Sequence, residues 1–399
     1  MIVEEVTGLL TFLKHLFGRR ENAQPAAGEF ARERSLPHRA RMRSEVACLM
    51  VTHDIPEEAM PWLRRARELF GRLVVFVDSP RAKPSVQERA NALASAVYTS
   101  ESPLYFASDF RAMVNACESD WVLYLDFDEE LSPEWDDESW RSLIRRPEFT
   151  HYLFPRRWIL PNGNYITSAP WWPDLHLRLF RSNLASAFPT KLHEAVVVQG
   201  EGAVLRSLCI HHHVLWLTDR ATREQKAQKY DSLFPGGALE HFYLYEDFPL
   251  REAPVASPAK LNWEEEILSM PRLSTANARA DIQLVEKTPG QVRQSTLFWI
   301  DVTLRNDTGM PICSAPPFPV GLSYHWRNAA TNEVAVYDGL RTELLPPVAA
   351  SQSVPIEMVV HSPPEPGKYV LHLTLVQEQN FWFEEVSEKF GCELTIEVS

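Results

Sequence analysis

The strongest constraint on the fold comes from short runs that are apolar at every position and alternate with stretches of helical periodicity. The apolar runs cover residues 46–51, 73–77 and 121–125, and the helical stretches cover residues 57–70, 85–96 and 106–117. A strand without polar positions must be covered on both faces, and parallel strands need a long crossover, which is usually a helix. The pattern therefore predicts an α/β domain built on a Rossmann-like, mostly parallel sheet.

Acidic residues follow the carboxyl ends of these predicted strands. Asp54 comes after the first run, Asp78 directly after the second, and Asp126 and Asp128 after the third. Ligands of open α/β sheets bind beyond the carboxyl ends of the strands. These four side chains are therefore expected to gather on one rim of the sheet.

The segment from Asp126 to Glu130, Asp-Phe-Asp-Glu-Glu, concentrates oxygen ligands directly after a buried strand. Mn²⁺ or Mg²⁺ in a phosphate site is typically held by one or two carboxylates, while phosphates and waters complete the shell. The segment predicts a divalent metal site at Asp126 and Asp128. The alternative is a solvated loop that leads into a helix beginning at Ser132-Pro133-Glu134.

Three consecutive histidines, His211 to His213, follow a predicted strand at residues 205–210. Imidazole is a common metal ligand, so His211 is a further candidate ligand. Alternation along an extended chain directs His211 and His213 to one face and His212 to the other. A single site built from all three is therefore not expected. The alternative for each is a hydrogen-bonded histidine of the core or the rim.

The character of the sequence changes near residue 276, after which short strand-like segments are separated by turn residues. About seven such strands in one domain predict an immunoglobulin-like β-sandwich. A chain of 399 residues is also too long for one core. The predicted organisation is an amphipathic helix and linker (1–44), the α/β domain (45–235), a linker (236–276) and the all-β sandwich domain (277–399).

The amino-terminal segment has apolar residues at helical spacing from Val3 to Phe17. This amphipathic helix has two interpretations: it packs on its own domain or on a partner in a homo-oligomer, or it lies on an anionic membrane surface. Glu4 and Glu5 stand where a signal peptide is positively charged, and no apolar run approaches the roughly 20 residues of a membrane span. A cytoplasmic protein is expected, with peripheral contact at the inner face of the membrane as the second interpretation.

Charge and cysteine content narrow the classes of function. The net charge of −13 provides no general positive field for a phosphate backbone, so no nucleic-acid partner is expected. The five cysteines are scattered without a Cys-x-x-Cys pair, which argues against a disulfide framework or a cysteine zinc site.

Several motifs occur in a fixed order between residues 45 and 233. They are Thr52-His53-Asp54, Val77-Asp78-Ser79, Trp121–Glu130, Trp172–Arg181, Lys191–Glu194 and a helix that carries Arg223, Lys226, Lys229 and Tyr230. Together they resemble family 2 glycosyltransferases of the GT-A type, particularly the bacterial lipopolysaccharide and surface-polysaccharide branch. The first strand departs from the family pattern, because it lacks the usual polar Asn-Glu stretch.

The resemblance implies how a sugar donor would bind. The donor would be a nucleotide-diphosphate sugar, and the UDP-linked form is the one expected. Asp54 and Asp78 would face the base and ribose, and Asp126 and Asp128 would hold Mn²⁺ or Mg²⁺ on the diphosphate. Arg178 is an expected contact to phosphate or acceptor.

The resemblance also implies an inverting transfer to a glycan or lipid-linked acceptor. The acceptor hydroxyl loses its proton as it attacks, so a carboxylate must act as general base. Glu194 is the preferred candidate and Asp174 the second. For either residue, the alternative is a structural carboxylate that pairs with Arg178 or Arg181.

In the carboxyl-terminal region, the segments 322–326, 338–342 and 379–383 resemble the immunoglobulin-like module of polysaccharide-processing proteins, including the glycan-binding domain of some O-antigen exporters. Trp326 and Trp382 either stack on sugars or fill the sandwich core.

Two other functions of the chain stay open. One is a metal-dependent phosphoesterase that uses Asp126, Asp128 and a histidine, and the other is a catalytically inactive glycan-binding scaffold.

Overall fold

The computed structural model describes residues 44–78, 81–100, 110–187, 196–233, 242–256, 260–285, 289–387 and 390–399. The predicted amphipathic helix, nearly all of its linker and Glu194 lie outside the described residues. The described residues form two compact units. The first extends to Tyr165 and adds Leu175–Tyr245 and Pro254–Glu266, and the second combines Ile166–Asp174, Glu246–Ala253 and Ile267–Ser399.

The described chain up to residue 268 contains strands and helices, which alternate only as far as β4. Its strands are β1 (Ser44–Thr52), β2 (Leu73–Asp78), β3 (Ala96–Ser100), β4 (Ser119–Tyr124), β5 (Glu129–Leu131), β6 (His151–Trp158), β7 (Asn164–Ile166), β8 (Leu175–Arg181), β9 (Ala185–Ala187), β10 (Val197–Val198), β11 (Gly202–Leu205), β12 (Ile210–His212), β13 (Glu252–Pro254) and β14 (Ile267–Leu268). Its helices are α1 (Met60–Phe70), α2 (Pro84–Leu93), α3 (Phe110–Ala116), α4 (Asp137–Ile144), α5 (Val214–Leu217), α6 (Arg220–Leu233) and α7 (Trp263–Glu266).

Strands β1 to β4 form the parallel part of the sheet in the first unit. The order across the sheet is β3-β2-β1-β4-β8-β6-β11, and β8 is antiparallel to both of its neighbours. Strand β12 runs parallel to β6 and antiparallel to β5. The chain order reverses between β1 and β4, since β2 and β3 lie on the other side of β1. The predicted α/β domain with a largely parallel sheet is confirmed at this level.

The parallel strands are buried on both faces, as their composition predicts. Every residue of β2 is buried. In β1, Ala47 and Leu49 belong to a core cluster that includes Met113 and Val114 of α3, and the alternate residue Cys48 is equally buried. Full burial of an aliphatic side chain stabilises a fold by about 1.5–3 kcal/mol, so this sheet is a rigid platform for its carboxyl-terminal loops.

Two helix predictions were wrong. The helix expected to begin at Ser132 begins at Asp137, after β5 (Glu129–Leu131) and a short turn. Asp136 caps this helix by accepting a hydrogen bond from the backbone N–H of Ser139 at 2.7 Å. The helix expected to reach residue 96 ends at Leu93, and residues 96–100 form β3 beside β2. At Ala96, pairing with a neighbouring strand overrode a local helical signal.

The strand predicted at residues 205–210 is interrupted: Leu205 ends β11, Ile210 begins β12, and residues 206–209 connect them. Glu266 holds this connection, because its carboxylate accepts hydrogen bonds from the backbone N–H groups of Ser207 at 2.7 Å and Leu208 at 2.6 Å. The histidines consequently begin within β12 itself and do not follow a longer strand.

The second unit is dominated by β-strands. They are β15 (Ala280–Leu284), β16 (Gln291–Val292), β17 (Leu297–Asn306), β18 (Val320–Asn328), β19 (Val334–Val336), β20 (Thr342–Glu343), β21 (Ser353–His361), β22 (Gly367–Gln377), β23 (Phe381–Trp382) and β24 (Cys392–Val398), with one helical turn, α8 (Phe383–Val386). One sheet has the order β15-β17-β21 and another has the order β16-β24-β22-β18-β19. The predicted β-rich second region is thereby confirmed.

The two tryptophans singled out in this unit are both buried. Trp326 is 0% exposed, and its Nε1 donates to the carbonyl oxygen of His361 at 3.0 Å. Trp382 is 9% exposed and contacts His325. Both positions correspond to the core-filling alternative.

None of the helices in the described part of the chain combines the length and the apolarity that a bilayer span requires.

Candidate active site

The loop from β4 to β5 carries the predicted acidic segment and is fixed on two sides. The backbone N–H of His213 donates to the carbonyl oxygen of Asp128 at 2.8 Å. Trp62 of α1 donates from Nε1 to the carbonyl oxygen of Phe127 at 3.0 Å. The loop is therefore anchored both to the histidine segment and to the first helix.

Asp126 is held through both of its carboxylate oxygens. The hydroxyl of Tyr124 donates to Oδ1 at 3.1 Å, and Nη2 of Arg178 donates to Oδ2 at 2.9 Å. The side chain is still 37% exposed, so a ligand can reach the carboxylate. Desolvation raises the pKa of Asp126, and the Arg178 guanidinium opposes this rise.

Asp128 is buried, and its Oδ2 lies 3.4 Å from Nε2 of His212. Desolvation acts to raise the pKa of Asp128, but His212, Lys226 and Arg156 together hold it well below its usual range. The carboxylate of Asp128 is therefore ionised at neutral pH.

A buried charge network lies next to Asp126. Glu129 accepts from Nη2 of Arg178 at 2.6 Å and from Nη1 of Arg156 at 3.1 Å through Oε1, and from the backbone N–H of Asp126 at 3.1 Å through Oε2. A buried carboxylate requires such compensation. Arg178, the predicted phosphate or acceptor contact, is thus engaged with Asp126 and Glu129.

The histidines alternate between the two faces of β12, and this prediction is confirmed. His213 lies with Nε2 at 2.9 Å from Oε2 of Glu130, and His211 lies with Nδ1 at 3.8 Å from the same oxygen. His212 faces Asp128 instead. Desolvation acts to raise the pKa of Glu130, but the nearby imidazole of His211 and the hydrogen bond with His213 lower it to about 2.

Aromatic rings surround His213. Trp62 stacks on the imidazole with a centroid distance of 4.7 Å and an interplanar angle of 26°. Trp216 of α5 donates from Nε1 to Nδ1 of His213 at 2.7 Å and is 38% exposed. The imidazole is therefore held in one orientation while one indole ring remains partly open to solvent.

Cationic groups lie near the carboxyl end of β1. Desolvation lowers the pKa of His53, and the charges of Arg81, Lys226 and Lys229 lower it further. Lys226 also lowers the pKa of Asp128. This rim therefore combines carboxylates with cations from α6 and from the segment after β2.

The other predicted site residues have different surroundings. Asp78 ends β2, is buried and is paired with Arg81. Asp54 follows β1, and its backbone N–H donates to Oγ1 of Thr52 at 3.0 Å. Asp174 belongs to the second unit and has a positive φ of 43°. Glu194, the preferred predicted base, lies outside the described residues.

The predicted metal ligands have separate partners: Asp126 with Arg178, Asp128 with His212, and His211 with Glu130. Among the described His, Cys, Asp and Glu side chains, the group of three whose donor atoms all lie within 4.8 Å of one another is Glu130, His211 and His213. Sequence reasoning did not select Glu130 or His213 as ligands. The alternation along β12 was the signal that pointed to His213.

Comparison with known proteins leaves the family open. No protein-family model matches the sequence, and no curated protein matches it. Solved structures with partial similarity include the CARDB domain of PF1109 from Pyrococcus furiosus, at 14% identity over 30% of this chain and 85% of that chain, with a TM-score of 0.20.

Two other similar structures match smaller parts of larger chains. One is a β-glucosidase from Listeria innocua, at 9% identity over 30% of this chain and 16% of that chain, with a TM-score of 0.21. The other is the alkylpurine DNA glycosylase AlkC from Pseudomonas fluorescens, at 14% identity over 30% of both chains, with a TM-score of 0.20. Similarities at these TM-scores carry no argument about fold or activity.

Proposed function

We propose that this chain is a metal-dependent glycosyltransferase of the GT-A type, which moves a sugar from a nucleotide-diphosphate donor to a glycan or lipid-linked acceptor. The observation that carries the proposal is the position of Asp126 and Asp128. They follow β4 at the place where the strand order reverses between β1 and β4. In open α/β sheets, such a reversal opens the crevice in which nucleotides bind.

The charges on this rim fit a diphosphate. Arg81, Lys226 and Lys229 lie close enough to His53 to lower its pKa. Cations around a crevice raise the local concentration of an anionic ligand. In this proposal they attract the donor, and Asp54 and Asp78 face its base and ribose.

The two loop carboxylates fit a hard divalent cation. The low pKa of Asp128 supplies an ionised oxygen donor at neutral pH, and the partly exposed carboxylate of Asp126 is accessible. Asp126 and Asp128 would hold Mn²⁺ or Mg²⁺ together with the donor phosphates. When bound, the cation neutralises charge that develops on the leaving diphosphate.

The remaining roles fall to this chain's own side chains. Arg178 and Tyr124 orient the carboxylate of Asp126, and Glu129 offsets the charge of Arg178. The acceptor hydroxyl gives its proton to a carboxylate base, for which Glu194 is the first candidate and Asp174 the second. A single displacement with such a base inverts the sugar's configuration.

In the same proposal, the second unit is an immunoglobulin-like sandwich that holds acceptor glycan. Since Trp326 and Trp382 are buried, a sugar would contact exposed rings such as Tyr337, which is 55% exposed. The protein would act in the cytoplasm in bacterial surface-polysaccharide synthesis, with residues 3–17 as the predicted contact to the inner face of the membrane.

The proposal is tested by calorimetric titration of UDP with and without Mn²⁺. We expect Mn²⁺-dependent binding by the wild type, weakened at least about 100-fold in an Asp126→Asn, Asp128→Asn double variant. The matched control is Glu88→Gln, Glu138→Gln, which makes the same charge change at exposed positions of α2 and α4. Absence of binding for UDP, GDP and dTDP alike would overturn the proposal.

A further inference from the structure

Glu130, His211 and His213 converge although they come from separate parts of the chain. Strands β5 and β12 pair antiparallel with Glu130 directly opposite His211. His213 returns to the same face two residues later, and its Nε2 lies 2.9 Å from Oε2 of Glu130. Backbone pairing therefore holds these three side chains, here called the histidine cluster, on one face.

We propose that the histidine cluster binds a transition-metal ion of the Zn²⁺ type, at a site separate from Asp126 and Asp128. Two imidazoles and one carboxylate form a donor set typical of zinc, whereas hard Mg²⁺ and Mn²⁺ prefer oxygen ligands. This inference does not depend on the proposed transferase activity.

The spacing of the donor atoms fits tetrahedral coordination. Zinc lies about 2.0–2.1 Å from nitrogen and oxygen ligands, so tetrahedral donors stand about 3.4 Å apart. The distances from Oε2 of Glu130 to His213 and His211 are 2.9 Å and 3.8 Å, one on each side of that value. All three donor atoms lie within 4.8 Å of one another, so an ion would have to draw them together by side-chain rotation.

The cluster also has a route of entry. The imidazoles of His211 and His213 are each only 8% exposed, whereas the side chain of Glu130 is 33% exposed. An ion would enter past Glu130. Three protein ligands leave a fourth position open, which is the arrangement of zinc sites that bind water or a further ligand.

Trp216 opposes occupancy of this site. An indole N–H is only a donor, and it donates to Nδ1 of His213 at 2.7 Å. The proton of a neutral His213 must then lie on Nε2, where it is donated to Glu130. A metal at Nε2 moves that proton to Nδ1, where it would face the indole N–H. Binding therefore requires Trp216, which is 38% exposed, to turn away.

The primary test is titration of the full, tag-free chain with Co²⁺, followed by its visible absorption, and with Zn²⁺, followed by calorimetry. We expect one equivalent to bind with a tetrahedral Co²⁺ spectrum and a change in tryptophan fluorescence. His211→Gln and His213→Gln should each weaken binding at least about tenfold. His212→Gln, on the opposite face of the same strand, is the matched control and should retain binding.

A second variant tests the role of Trp216. Trp216→Phe removes the competing donor and should tighten Zn²⁺ binding roughly five- to tenfold. Failure of both the wild type and Trp216→Phe to bind Zn²⁺ would overturn the site. Weaker binding by Trp216→Phe would overturn the role of the indole.

The two metal proposals are distinguished by one further variant. Asp126→Asn, Asp128→Asn should lose Mn²⁺-dependent UDP binding while it retains the Co²⁺ spectrum. Loss of the Co²⁺ signal in this variant, with circular dichroism unchanged, would mean that Co²⁺ binds at the loop acids and would overturn a separate histidine site.

Discussion

Two arginines with largely covered side chains, one in each unit, are both paired with two carboxylates, but their surroundings differ. Arg341 lies 2.8 Å from Asp338 and 2.7 Å from Glu378, and it donates to the carbonyl oxygen of Gly339 at 2.6 Å. Its guanidinium also lies over the ring of Trp382 at 4.9 Å. This arginine cross-links the turn before β20 to the end of β22.

Arg178 has the same number of carboxylate partners but sits in a different place. Its partner Asp126 lies in the loop beyond the carboxyl end of the parallel strand β4, and its partner Glu129 begins β5 directly after that loop. Asp126 is 37% exposed, whereas Asp338 and Glu378 are 21% and 19% exposed. A buried ion pair is therefore not in itself a sign of function. The position on the sheet and the accessibility of the partner distinguish the two clusters.

The largest expected effect comes from removing each arginine. Loss of one partner from a buried ion pair costs about 3–5 kcal/mol, because the remaining charges stay buried. Arg178→Met and Arg341→Met should both lower the free energy of unfolding in urea by amounts of this order. Only Arg178→Met should change Mn²⁺-dependent UDP binding, because only Arg178 orients Asp126.

The comparison fails if Arg341→Met abolishes UDP binding while the chain remains folded. It also fails if Arg178→Met is destabilised by less than about 1 kcal/mol, since the Glu129 carboxylate would then not depend on Arg178. Calorimetry and urea titration on the same samples decide both points.

Lowering the pH should have a smaller effect on the free energy of unfolding, and one that arises at a single side chain. The pKa of Glu130 is about 2 in the folded chain, below its ordinary value of 4.5. Its stabilising contribution is therefore present above about pH 4.5 and is lost as the pH falls toward 2. Glu130→Gln should reduce the loss of stability between pH 5 and pH 3, by about 1 kcal/mol because the side chain is partly exposed.

Urea midpoints at both pH values measure the acid effect, and Glu88→Gln on the exposed surface of α2 is the control. Equal pH dependence in Glu130→Gln and the wild type would show that the histidines do not stabilise the Glu130 carboxylate.

The smallest expected effect comes from a variant that changes how Asp126 is oriented but leaves its charge in place. Tyr124→Phe removes the hydroxyl that donates to Asp126 but keeps the ring, whose centroid lies 5.0 Å from the Arg178 guanidinium. We expect a loss of about 1 kcal/mol in unfolding free energy and only a few-fold change in UDP affinity. A loss of UDP binding as large as that of the double Asp variant would assign the orienting role mainly to Tyr124.

The sequence predicted the framework more accurately than the contacts. Continuous apolar runs predicted β1, β2 and β4, and the acids at their ends were expected on one rim. Strands β3 and β5 were missed, because each is short and is defined by its pairing with another segment, β3 with β2 and β5 with β12. Local periodicity cannot show such pairing.

The sequence predicted only part of the candidate site, because the rest of the site also depends on strand pairing. Asp126 and Asp128 stand out in the sequence, and alternation correctly separated His212 from His211 and His213. Glu130 meets those histidines only because of the register of β5 against β12. Glu130 lies 81 residues before His211 in the sequence, so no local pattern shows this pairing.

By itself the sequence determined the largely parallel sheet, the β-rich second region and the acids at the strand ends, because burial patterns and side-chain alternation are local properties. The tertiary structure alone decided which charge meets which. Arg178 binds Asp126 and Glu129, His212 lies against Asp128, and Trp216 donates to His213. These pairs form only once strand order and register bring distant segments within hydrogen-bond distance, where energies depend on tenths of an ångström.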